Sequence, residues 1–450
     1  MGLLSRFRPR KRKVVVIGLD GTPYSFLQRM IREGRMPNFA RLVEEGSFIT
    51  INSVYPTVSS VAWSCYMTGK NPAKHGIFGF VDRRPDSYKY FIPNSRTMQS
   101  KTLWEILSDA GKRVVVINVP VTYPPRPVNG VLIAGFLSPT VEKGAYPPQV
   151  ASTLKQLGYK LDADPGAARK SKDLALKEVN EALEARARAL FHFMDNEEWD
   201  FFQCHIMETD RLHHFLWELM EQGHPQYAPA FFAVYERIDR ILGDVVKRLD
   251  DNTTLIVMSD HGFCTLKKEV YVNYWLAEKG WLRYKSDSPR TLEDIDPSSL
   301  AYSLDPGRVF INLKGREPQG VVSPGKEYED LREEIAQAAL ELRDPDTGEL
   351  MIEKVLRREE IYSGPLLDRA ADLILVPKRG FDLKAGFGKT QLTFKGDALI
   401  GMHTYDDAMF CIRGQSIQVD RTPWVADAMP TVLKLLDVPI PPDLDGKALV

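Results

Sequence analysis

Cysteine is scarce in this chain. Four thiols, Cys65, Cys204, Cys264 and Cys411, are scattered through 450 residues, and none is spaced from another as paired metal ligands are. This excludes a disulfide-stapled scaffold and a thiolate zinc module, and fits reduced, structural thiols in a cytoplasmic protein. An excess of charge of one sign is also lacking. Lys and Arg number 59 against 60 Asp and Glu, a net charge of -1, so no global basic field points to nucleic acid. The one dense basic run is Arg6, Arg8, Arg10, Lys11, Arg12 and Lys13, and it reads as a solvated tail over residues 1–13. No uninterrupted apolar stretch approaches the ~20 residues of a membrane span. The segment after the basic run, from Val14 to Asp20, is too short for the apolar part of a secretory signal and ends in a carboxylate. Internal repeats and low-complexity segments are likewise missing. The expected partner is a small molecule, with neither nucleic acid nor membrane involved.

What is present is an ordinary globular balance, 44% hydrophobic and 26% charged residues, enough apolar surface to build a core. Strand-like apolar runs include Val14 to Leu19, Val114 to Val119, Val131 to Phe136, Phe201 to Met207, Leu255 to Met258 and Leu373 to Val376. Helical patterns lie between them, as in Lys172 to Met194, Phe231 to Leu249 and Val425 to Leu436. Buried strands alternating with amphipathic helices predict an α/β fold, a mostly parallel sheet covered on both faces. In such a sheet ligands gather at the carboxyl ends of the strands. The stretch from about Gly280 to Gly325 breaks the alternation, being rich in Pro, Ser, Asp, Gly and Tyr, and reads as an insertion or small subsidiary sheet.

Five motifs carry chemistry. Asp20 follows one strand-like run and Asp260-His261-Gly262 follows another, each placing a hard oxygen ligand where a buried strand meets a loop. The imidazole of His261 suits a borderline metal such as zinc, although either Asp could equally cap the helix that follows. In Asp210-Arg-Leu-His213-His214, positions four apart share a helix face, so Asp210 and His214 could hold one ion. His213, three apart, competes, and spacing alone does not choose. Gly401-Met-His403 offers a Gly-flanked loop histidine, a type that is more often structural. Last, Tyr55-Pro-Thr-Val-Ser59-Ser60 leads into a helical pattern ending at Thr68-Gly69. A serine at a helix start is commonly a cap. With helix amides and a cation beside it, the hydroxyl is instead acidified and a phosphoryl group is bound.

In their order along the chain the five pieces resemble the alkaline phosphatase superfamily, and most of all its type I phosphodiesterase/nucleotide pyrophosphatase family. That family's pattern is a strand-end Asp, Pro-Thr-x-Thr/Ser before a helix ending in Thr-Gly, then Asp-x-x-x-His, Asp-His-Gly and a late Gly-x-His. The tail from Pro439 to Lys447 also looks like the end of phosphatases and sulfatases in the superfamily. The resemblance implies an alkaline phosphatase-like three-layer α/β/α sandwich, with residues 14–450 as a single catalytic domain. It also implies two divalent metal ions, zinc or manganese, one held by Asp210, His214 and His403 and the other by Asp20, Asp260, His261 and the Ser59 oxygen. It selects Ser59 over Ser60 as nucleophile and His214 over His213 as ligand. The implied activity is metal-dependent cleavage of phosphodiester or pyrophosphate bonds through a phosphoseryl intermediate. The alternative is a phosphomonoesterase or phosphotransferase on the same core. The sulfatase branch needs a Pro and an Arg after the nucleophile, and Ser60 to Trp63 supplies neither. One departure stands out. Where nucleotide pyrophosphatases place a phosphoryl-holding Asn, after His75-Gly76, this chain has Phe80, which cannot donate a hydrogen bond.

Overall fold

The computed structural model describes residues 12–84 and 86–450, so most of the basic run lies outside the described residues. Arg12 makes an exposed ion pair with Asp437 at 3.4 Å, and Lys13 opens the first strand.

Short β-branched runs supply the central sheet. Lys13–Leu19, Val114–Ile117 and Thr253–Met258 are mostly Val, Ile and Thr, whose stiff branched side chains suit a pleated surface. They are buried on both faces and so show no alternation. Eight strands stand in the order Gly46–Ile51, Ala408–Arg413, Thr253–Met258, Lys13–Leu19, Phe201–Ile206, Val114–Ile117, Gly130–Ile133, Ala145–Tyr146. The five from Thr253–Met258 to Gly130–Ile133 run parallel. Ala408–Arg413 and Ala145–Tyr146 pair with them antiparallel.

Helices cover both faces. Val15, Ile17 and Leu19 pack beneath Tyr24–Arg32, Pro37–Glu44, Lys172–Asn196, Glu208–Glu221 and Tyr227–Val246. Val14 and Val16 pack against Ser59–Thr68, Leu103–Asp109 and Ala428–Leu435 on the other side. The result is the three-layer sandwich. Lys172–Asn196 shows why such a helix forms. Ser171 accepts the Leu174 amide at 3.1 Å as its cap, and Ala175, Val179, Ala182, Leu183, Leu190 and Phe193 recur three, four and seven apart on the buried side. Ser59–Thr68 is different, being buried at all ten positions, so it has no polar face to turn outward.

A second, antiparallel sheet has the order Ala301–Leu304, Arg308–Ile311, Leu373–Pro377, Ile352–Arg357. Lys326–Leu340 covers it, around a core that includes Tyr302, Phe310, Ile335 and Leu373. Two of its strands come from the Gly280 to Gly325 stretch and two from beyond it. The run Leu373 to Val376 is therefore a strand, but of this sheet and not of the parallel one. Its apolar character records burial, which is the same in either sheet, and not the identity of its partner. Arg308 reaches back to Asp82 through a buried ion pair at 2.5 Å and so ties this sheet to the segment after Phe80.

Candidate active site

The carboxyl ends of the parallel strands converge with the start of Ser59–Thr68. Val58 is extended, with φ -141° and ψ 145°, so the chain turns sharply into the helix and the Ser59 hydroxyl emerges at its positive end. The amides of Val61 and Ala62 close on the Val58 carbonyl at 3.0 Å, which leaves the first amides of the helix for an anion. Ser59 Oγ donates to Asp20 Oδ1 at 3.1 Å and lies 3.3 Å from His261 Nε2.

Asp20 ends the strand Lys13–Leu19 and is fixed through its second oxygen. Oδ2 accepts the Trp63 indole N–H at 2.9 Å and lies 3.0 Å from His205 Nε2. Burial opposes the carboxylate charge, but hydrogen bonds from His205 and His261 outweigh it and hold the group below its ordinary value. This close approach explains Gly18. A Cβ there would stand 2.7 Å from Trp63 Cη2 and 2.9 Å from His205 Nδ1. Gly18→Ala is expected to destabilise the fold by about 1–3 kcal/mol through overpacking, read as a lower denaturation midpoint. An unchanged midpoint would show that the indole moves aside freely.

Asp260 Oδ1 accepts the Gly21 amide at 3.1 Å, and Gly21 turns there with φ 63°, a region that favours glycine. Asp260 Oδ2 is buried without a hydrogen-bond donor among the described residues, 3.4 Å from His261 Nε2. Burial and the neighbouring charge of Asp20 push Asp260 well above the usual carboxyl range. His261 Nδ1 donates to the Gly262 carbonyl at 3.0 Å, which turns Nε2 toward Ser59, Asp20 and Asp260. Burial disfavours charge on His261, yet Asp260 and Asp20 together raise it to about 10.

On Glu208–Glu221, Asp210 and His214 share a face as their spacing predicts, with Nε2 and Oδ1 3.4 Å apart. His403 arrives from the strand Gly401–Thr404, which pairs with Gly262–Thr265 so that His403 stands opposite Phe263. Its Nε2 is 3.1 Å from Asp210 Oδ1 and 3.0 Å from His214 Nε2. The Nδ1 atoms of the two rings donate to the carbonyls of Thr57 and Gly401, at 3.2 and 2.9 Å. Both remaining lone pairs thus face the same point, an arrangement that a cation resolves. Burial, then the charge of His261, lowers His403 to about 4. The His403 ring stacks on His261 at 3.7 Å and joins the two halves of the cluster.

Ligand atoms of Asp20, Asp260 and His261 lie within 4.8 Å of one another, as do those of Asp210, His261 and His403. An orphaned buried carboxylate oxygen and two opposed imidazole lone pairs fit a divalent cation, and the oxygen and nitrogen donors suit zinc or manganese. His213 is turned away. Its Nδ1 meets the Gly21 carbonyl at 3.1 Å, its Nε2 meets the Tyr235 hydroxyl at 2.6 Å, and its ring stacks on Phe231. Burial drops it to about 3. The choice that spacing left open is one of orientation, and here only His214 faces the cluster.

Sequence reasoning missed His205 and the role of Trp63. The signal was there: Gln203 and His205 alternate inside an otherwise apolar strand, and both meet the helix that carries Ser59, Gln203 by accepting from Tyr66 at 2.9 Å. Arg211 was missed too. It holds Asp210 Oδ2 at 3.0 Å and Asp162 Oδ2 at 2.6 Å, and sits 5.4 Å over the Phe136 ring.

A cavity of about 690 Å³ opens above the cluster. Phe80, Phe136, Met207 and Phe215 line it, together with residues of the strands Ile352–Arg357 and Leu373–Pro377. Phe80 is 36% exposed and packs on Phe136 at 5.4 Å, so an apolar surface stands where the family pattern has an amide.

Several solved structures share this fold. Phosphonoacetate hydrolase from Sinorhizobium meliloti 1021, in complex with phosphonoacetate, matches with TM-score 0.66 at 19% identity, over 95% of this chain and 96% of that one. Murine ectonucleotide pyrophosphatase/phosphodiesterase 5, in complex with AMP, matches with TM-score 0.57 at 16% identity, over 96% of each chain. The alkaline phosphatase PafA matches with TM-score 0.59 at 16% identity, over 98% of each chain. The model of the type I phosphodiesterase/nucleotide pyrophosphatase family matches residues 14–406, which takes in Ser59 and the acidic and histidine motifs in their order along the chain. This protein therefore belongs to that family, within the alkaline phosphatase superfamily, and is a phosphoric ester hydrolase.

Proposed function

We propose that this enzyme cleaves phosphodiester or pyrophosphate bonds in small-molecule substrates by a metal-dependent route through a phosphoseryl intermediate on Ser59. The observation that carries this reading is the position of Ser59 Oγ, 3.1 Å from Asp20 and 3.3 Å from His261, on the floor of the cavity. Asp210, His214 and His403 would hold one divalent cation, and Asp20, Asp260, His261 and the Ser59 oxygen the other, with zinc or manganese favoured by the donors. Such ions acidify a serine and neutralise charge developing on phosphoryl oxygens.

The chain's own groups do the rest. Asp20 orients the hydroxyl, held in turn by Trp63 and His205. Ser59 releases its acidified proton to water, Oγ attacks phosphorus and a P–O bond forms to serine, and the leaving oxygen departs with the electron pair of the broken P–O bond. The first amides of Ser59–Thr68 receive phosphoryl oxygens. Phe80 and Phe136 present an apolar surface on the cavity lining, and after the leaving group departs water cleaves the phosphoserine. The domain reading, residues 14–450 as one catalytic unit, is supported by a cavity lined both by residues that follow strands of the central sheet, such as Phe136 and Met207, and by strands of the second sheet, such as those carrying Lys354 and Leu375. A cytoplasmic setting is supported by four free cysteines, three of them buried. No helix among the described residues is long and apolar enough to cross a membrane.

The purified enzyme is expected to hydrolyse bis(4-nitrophenyl) phosphate with at least tenfold higher kcat/KM than 4-nitrophenyl phosphate. The reverse order would favour the phosphomonoesterase reading on the same centre.

A further inference from the structure

The outer wall of the cavity carries charge that the Ser59 centre does not use. Lys354 lies on the strand Ile352–Arg357 opposite Val376, and Lys378 follows Leu373–Pro377; both lysines line the cavity. Among the described residues neither ammonium is ion-paired. Lys354 instead sits 5.2 Å over the Tyr55 ring and 6.0 Å over the Tyr405 ring. Those rings stack at 4.0 Å with 4° between their planes. Their backbone is anchored at the reacting centre, since Tyr55 precedes Ser59 by four residues and Tyr405 follows His403 by two. A ring contact of this kind orients an ammonium group without cancelling its charge.

The cavity's acidic groups are directed elsewhere. Asp382 pairs with Lys384 at 2.7 Å, and Asp406 with Arg379 at 2.7 Å. Asp305 accepts the Ala385 amide and acts on the same Lys384. Glu353, exposed beside Lys354, is the carboxylate that remains to compete with an incoming anion. A cation held in place on a cavity wall and left unpaired there is an arrangement for receiving a charged ligand.

We propose that Lys354, held by the Tyr55–Tyr405 stack, forms with Lys378 a subsite for a second anionic group, phosphate or carboxylate, carried by the ester away from the phosphorus under attack. This rests on the reading of the Ser59 centre given above. The subsite selects substrates bearing two separated negative charges over esters of neutral alcohols.

The test compares kcat/KM for bis(4-nitrophenyl) phosphate with that for 4-nitrophenyl 4-carboxyphenyl phosphate and for the analogue bearing a phosphate in place of the carboxylate. In the Lys354→Met/Lys378→Met enzyme, kcat/KM for at least one of the two esters that carry a second anionic group is expected to fall about tenfold or more, while bis(4-nitrophenyl) phosphate, with its single charge, stays within about twofold. Lys354→Arg should retain the preference, and Glu353→Gln should strengthen it. A fall for the phosphate-bearing ester alone identifies phosphate as the recognised group, and equal falls for both identify any anion. Equal losses on singly charged and doubly charged esters, or no loss on either, would overturn the subsite. Failure of the underlying reading looks different: the Ser59→Ala enzyme would still hydrolyse bis(4-nitrophenyl) phosphate.

Discussion

Ser59→Ala is expected to lower kcat by on the order of 10³-fold or more on any phosphoric ester the enzyme accepts. Loss of this one oxygen removes both the attacking atom and the group on which the phosphoryl intermediate forms. The substitution should leave the fold intact. Ser59 is buried at a helix start, but its side chain caps nothing, and its two polar contacts are Asp20 and His261. The variant should therefore keep its denaturation midpoint and bind divalent cations in near wild-type amount. Rapid acid quench of the wild-type enzyme with a chromogenic diester should trap a phosphoryl group on the peptide containing Ser59, and the variant should trap none. Full activity in the alanine enzyme would move the nucleophile elsewhere.

His403→Ala is expected to reduce both activity and bound metal, each by on the order of 100-fold or more in kcat/KM and in affinity. His403 occupies the junction, 3.1 Å from Asp210, 3.0 Å from His214 and stacked on His261 at 3.7 Å, so its loss opens both halves of the cluster. Chelation of the wild-type enzyme should abolish turnover, and zinc or manganese should restore it. A readout independent of turnover is stability. Cations that bind the folded cluster and not the unfolded chain raise Tm by mass action, so adding metal to chelated wild-type protein should raise Tm, with little response in His403→Ala. Full activity of thoroughly chelated protein would end the metal-dependent reading. Asp260→Asn should weaken metal binding as well, because Oδ2 has no hydrogen-bond partner among the described residues.

The central layer was legible because its strands are short, β-branched and wholly buried, and because the helices between them are amphipathic. Leu373 to Val376 shows where that legibility stops. Its composition matches the parallel strands, yet it pairs with Arg308–Ile311 and Ile352–Arg357 in the second sheet. The positions of Asp20, Asp210, Asp260 and His261 were legible for a related reason: each is a polar side chain that appears as an apolar run ends, and parallel sheets gather such ends at one edge. His205 broke that rule by sitting inside its strand, where a single buried imidazole in a run of six residues looks like an exception and not a partner for Asp20.

By itself, then, the order of residues along the chain determined the layered α/β architecture, the family motifs and which side chains had the chemistry to meet at the strand ends. Spacing left His213 and His214 open, and the family resemblance favoured His214. The tertiary structure supplies the reason, since His213 turns into the aromatic core beside Tyr235 while His214 faces His403, and rotation about a helix axis is set by packing on both sides. Only the tertiary structure decided that Trp63 and His205 hold Asp20, that Phe80 leans on Phe136, and that Lys354 stands over two stacked tyrosines. Each of those contacts joins segments tens or hundreds of residues apart, and local sequence preference carries no information about pairs brought together by the burial of a shared core.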